Sequence, residues 1–199
     1  ENQIVETFPL RNYVFFNDGS SQIPNRYVIL EKGQVKDFKE DQLEVFTPKT
    51  LAGRSDREMT VYYNVLNILG DRLGKNPTAT ITLVGSSENG PQEGKVLAET
   101  VKSYLVNTFG INASRIAIEG RNKPKLPSEQ PGGTKELELL RAGDRRVSIE
   151  SNAPALLMEF QSGPEAALKP VVISAIQEAP LDSYVIFTSA GSDKAYTSW

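Results

Sequence analysis

The sequence predicts an α+β fold: a two-layer β-α-β-α-β-(α)-β sandwich on a small mixed sheet, followed by a β-rich C-terminal segment. Three observations carry this. Short β-rich or alternating runs interleave with two long stretches of helical period. Turn and cap residues, Asn76-Pro77 and Gly110, close those two stretches. After Asn152 the texture changes to near-continuous apolar runs joined by a Gly/Pro segment.

The first strand is Tyr13-Val14-Phe15-Phe16, closed by the turn-prone Asn17-Asp18-Gly19-Ser20. Residues 26–53 are charged and mixed, and read as a long loop or an insertion. "SDRE" then offers Ser55 as N-cap and Glu58 three residues later, the pattern of a capping box. Behind it Val61, Val65, Ile68 and Leu69, with Tyr62, Leu66 and Leu73, recur at helical spacing. "ATITLVG" (79–85) is the second strand. A helix from about Pro91 to Phe109 follows, its apolar stripe being Leu97, Val101, Tyr104 and Leu105. "RIAIEG" (115–120) is the third strand, "TKELELLRA" a short helix, and "DRRVSIE" (144–150) the fourth strand.

Residues 1–161 are thus expected to form one domain. In residues 162–199, "QSGPEAALKP" reads in large part as linker, and "VVISAI" and "SYVIFTSA" as the start of a truncated β-rich domain. The other open reading is that these strands extend the first sheet.

Composition narrows function by what it lacks. The chain has no cysteine and no histidine. That excludes disulfides, thiol nucleophiles, Cys-rich or His-bearing zinc sites and the Ser-His-Asp triad. An enzyme is therefore not expected, nor a cofactor or metal. A net charge of -3 gives no general attraction to nucleic acid, and no apolar run is long enough to span a bilayer. "GSSENG" sits between strand and helix like a phosphate loop. However, Pro91 stands where such a loop has its Lys, and Glu88 would repel phosphate. Asn112-Ala113-Ser114 reads as a turn entering a strand.

The chemistry-bearing candidates lie elsewhere. Arg145 and Arg146 open the last strand, and a guanidinium presents a planar fork of donors suited to carboxylate. Adjacent strand residues point to opposite faces, so at most one of the two can face a pocket. Glu88 with Arg145 reads either as an ion pair holding a loop to the sheet or as a pair that opens to a zwitterion.

In order along the chain, "YVFFNDGSSQIP", "ITLVGSSE", "AETVKSYLV", "GINASRIAIEG" and "DRRVSIE" resemble the OmpA-like C-terminal domain of bacterial envelope proteins. The resemblance runs from about Tyr13 to Ser151. It implies a non-catalytic module that binds the diaminopimelate of the peptidoglycan stem peptide, in the periplasm and associated with the outer membrane. Ser86, Ser87 and Glu88 fall on the family's Gly-His-Thr-Asp segment, with Glu88 at the Asp. Asp144, Arg145 and Arg146 fall on its Asn-Arg-Arg. The family's helix-borne Arg falls on Leu97, and the loop after Glu88 is several residues shorter than usual. The resemblance therefore implies a wall ligand held weakly or lost, with envelope proteins as the other class of partner.

Overall fold

The computed structural model describes residues 2–45, 53–128, 132, 135–158 and 166–177. In chain order its strands and helices are β1 (Asn2–Leu10), β2 (Tyr13–Phe15), α1 (Arg54–Tyr62), α2 (Val65–Lys75), β3 (Ile81–Ser86), α3 (Pro91–Phe109), β4 (Ile116–Arg121), α4 (Leu137–Asp144), β5 (Arg146–Ser151) and β6 (Leu168–Gln177). The fold is α+β. A mixed four-stranded sheet runs β2-β5-β3-β4, with β3 and β4 parallel and the other pairs antiparallel.

The helix α3 carries the chain from β3 to its parallel neighbour β4, and it packs on both. Its stripe, Leu97, Val101, Tyr104 and Leu105, is buried as its spacing predicts. Gly110 ends it in the left-handed region, at φ 69°, where glycine carries no Cβ penalty. At its other end the helix comes unusually close to the sheet. A Cβ on Gly85, Gly94 or Gly120 would collide with the carbonyl of Gly94, Gly85 or Pro91 respectively. Backbone therefore touches backbone at the N-terminus of α3.

Two local expectations change. The chain enters α1 at Gly53 with no side-chain cap, so the Ser55–Glu58 capping box does not form. The single helix expected over 55–75 is two helices. Val28 N–H donates to the carbonyl of Tyr63, which in a continuous helix would accept from residue 67. The side chain of Asn67 is drawn to Val28 O and Asn64, and Tyr62 to Tyr27 and the Tyr13 carbonyl. Loop 26–45, with short 3-10 turns at Lys32–Asp37 and Glu40–Gln42, thus docks on the break.

A second, two-stranded sheet pairs β1 antiparallel with β6. One face of this ribbon carries Phe8, Leu10, Leu168, Val171 and Ile173 into the same core as Leu66, Leu83 and Ile149. Arg72 on α2 ties it down, donating to the carbonyls of Lys169 and Pro170 while its fork holds Glu40. The boundary expected at 161/162 and the apolar segment 183–190 lie outside the described residues.

Candidate functional site

The site grows from β5. Because side chains alternate along a strand, Arg145 and Arg146 leave it on opposite sides. Arg145 turns toward the C-terminal end of β3 and the first turn of α3. Its guanidinium meets five acceptor atoms, as many as it has N–H groups. Nε donates to Asn17 O at 2.9 Å. One terminal nitrogen donates to Ser87 Oγ at 3.0 Å and lies 2.9 Å from Glu93 Oε2. The other donates to Ser20 O at 2.8 Å and Glu93 Oε1 at 3.1 Å.

Glu93 completes the arrangement as a bidentate carboxylate. The Ser87 hydroxyl donates to Glu93 Oε2 and accepts from Arg145 and from Asn89 N–H. The Arg145 guanidinium first, then the Ser87 hydroxyl, hold the Glu93 carboxyl down at about 2 against partial desolvation. One arginine thus joins the turn after β2, the loop after β3 and the start of α3.

A cleft of about 410 Å³ opens beside this knot, lined by Asp18, Ser87, Glu88, Glu138, Arg141 and Arg145 among others. Glu88 is exposed on its rim. The suggested Glu88–Arg145 ion pair is not formed. Glu88 sits at the outer turn of the loop, whereas Glu93 lies inside the first helical turn and points back at the strand end. Sequence reasoning missed Glu93 because an acid in a first helical turn is already explained by the helix dipole.

The remaining expected site residues lie on the other side of the sheet. Arg146 is 4% exposed and stacks its guanidinium 4.0 Å from the centre of the Tyr13 ring. It donates to Leu126 O, Gly143 O and Ser128 Oγ. Asp144 lies 3.5 Å from Arg146 and accepts from Ser128 N–H at 2.7 Å. Ser86 is fully buried and pairs across the ladder with Arg146. Ser87, Glu88 and Arg145 therefore line the cleft, while Ser86, Asp144 and Arg146 do not. Leu97, one turn beyond Glu93, is fully buried in the core.

Chemically, the cleft offers carboxylates at Asp18, Glu88 and Glu138 and the guanidinium groups of Arg141 and Arg145, of which Arg145 is already matched by Glu93. That wall favours the ammonium end of a ligand and leaves the Arg145 fork closed to its carboxylate.

No protein-family model matches the chain, and no curated protein sequence matches it. Among solved structures, the crystal structure of the peptidoglycan-associated lipoprotein from Burkholderia pseudomallei is similar to this chain. The identity is 16%, over 71% of this chain and 91% of that one, with a TM-score of 0.42.

Proposed function

We propose that the chain is a non-enzymatic cell-envelope module of OmpA-like type, periplasmic and outer-membrane-associated, whose diaminopimelate pocket is impaired. The ordered sequence segments that resemble that family support the class. One observation carries the impairment: Glu93 occupies the Arg145 fork as a ligand carboxylate would. With Leu97 buried where the family has its second cation, an incoming carboxylate must displace Glu93 to reach the Arg145 guanidinium.

Retention on purified peptidoglycan sacculi, with free diaminopimelate as competitor, tests this. The wild type should be retained weakly. Glu93→Gln frees part of the fork at nearly constant shape and should strengthen retention roughly tenfold, the value of one charge-assisted contact. Tight wild-type binding that diaminopimelate competes and Glu88→Ala abolishes would overturn the impaired pocket.

A second reading is an assembly module of an outer-membrane-associated complex with no wall ligand. The outer face of the β1–β6 ribbon favours it: Val5, Val172 and Ile176 stand 56%, 50% and 69% exposed, more apolar surface than one ribbon needs to show to water. Absence of retention for both proteins would support it.

A further inference from the structure

Among the described residues, four side-chain atoms are buried with no hydrogen-bond partner: Ser86 Oγ, Arg146 Nε, Ser148 Oγ and Glu150 Oε1. They are not scattered. Arg146, Ser148 and Glu150 are alternate residues of β5, and Ser86 lies directly opposite Arg146 on β3. All four therefore share the sheet face turned away from α3, the face on which Gly85 and Leu83 do not lie. A buried polar atom left without a partner is costly, and native proteins keep few of them. Four along one face mark a place that something polar fills.

That face opens at its far end, away from Arg145, in a cleft of about 300 Å³ lined by Thr80, Thr82, Lys125 and Glu150 among others. The Glu150 carboxylate is asymmetric there. Its Oε2 accepts from Lys125 Nζ at 2.9 Å, while Oε1 is buried and waits for a donor. Lys125 is 29% exposed at the rim, and an ammonium has three donors. The cleft thus presents an unsatisfied carboxylate oxygen inside and ammonium donors at its edge, the complement of a molecule that carries an ammonium and a carboxylate on one carbon.

We propose that this second cleft binds a small α-amino acid. A turn of the Glu150 carboxylate brings Oε1 from its buried place to the cleft, where the ligand's ammonium donates to it, while the ligand's carboxylate accepts from Lys125 Nζ. The volume admits a small side chain with accompanying water, and the threonine hydroxyls supply further polar contact. Ser148 Oγ and the Arg146 Nε–H lie deeper on the same face and do not line the cleft. The site is separate from the Arg145 cleft and does not rest on the wall-binding reading.

Amide chemical-shift titration of the whole chain with glycine, and separately with methylammonium and acetate, tests the proposal. Glycine should shift Thr80, Thr82, Lys125 and Glu150 at millimolar concentration, methylammonium should do so more weakly, and acetate should not. Glu150→Gln should weaken glycine binding roughly tenfold or more. Lys125→Ala, a rim substitution that leaves the sheet intact, should weaken glycine and strengthen methylammonium, which then meets a carboxylate without its cation, so the test stands even if Glu150→Gln unfolds. Absence of glycine shifts would mean that water alone fills the slot and would overturn the proposal. Equal shifts with all three solutes, or glycine binding untouched by Lys125→Ala, would do the same.

Discussion

Arg145 and Arg146 are neighbours with nearly equal side-chain exposure, 8% and 4%, yet they hold different parts of the protein by different physics. Arg145 is matched charge for charge by a bidentate carboxylate and two carbonyls. Arg146 is held mainly by the carbonyls of loop 122–128 and α4 and by an aromatic face, and its Nε is left over. A strand that alternates faces lets a two-residue motif serve two assemblies. Residue type alone does not say which acceptors each arginine will hold.

Removing Arg145 should be the most damaging change. Arg145→Ala strands Glu93 and two turn carbonyls in a partly desolvated knot. We expect about 3–5 kcal/mol lost in denaturant unfolding, the usual cost of orphaning one member of a buried pair. Arg146→Ala should cost less, roughly 2 kcal/mol, because Asp144 keeps the Ser128 N–H and the Leu126 carbonyl can turn to water. Its signature should be faster proteolysis within 122–128. Equal costs for the two would mean that the Glu93 carboxylate adds nothing to Arg145.

Glu93 makes the Arg145 assembly sensitive to pH. Its folded value of about 2 lies below the 4.5 of a free carboxyl, so the folded state binds that proton less readily. The stabilisation is complete above about 4.5 and fades as pH falls toward 2. Glu93→Gln should cost roughly 1–2 kcal/mol at neutral pH after solvent screening, and nearly nothing at the acid end of that window. A pH-independent difference between the two proteins would show that the charge is irrelevant. The smallest effect is reserved for Glu88→Ala: under about 0.5 kcal/mol, as for an exposed loop residue. A larger loss would restore Glu88 as the partner of Arg145.

Much of the frame was legible in the sequence, for a reason. The helix α3 has a strict apolar stripe, and β3, β4 and β5 are short runs bounded by turns, so local pattern suffices for them. The strand β1 was missed although Phe8 and Leu10 alternate inward. Its partner lies more than 150 residues away, and no local signal announces such a pairing. The break between α1 and α2 was equally hidden, since it is Val28 N–H, from a distant loop, that claims the Tyr63 carbonyl. Within the site, pattern reached Arg145 and Ser87, and strand alternation allowed only one of the arginines into a pocket. It did not reach Glu93, whose partner is set by how the helix docks. Leu97 was legible as core from its stripe, which is why Leu97→Arg should destabilise the fold rather than rebuild a ligand contact.

The glycine contacts at the head of α3 have a consequence for how such a cleft changes over generations of sequences. Where main chain meets main chain, the position of the helix is fixed without help from any variable side chain. Substitutions at 88 or 93 can then alter which charges face the opening while its walls stay in place. The three small residues form a mould, and the chemistry cast in it is free to drift.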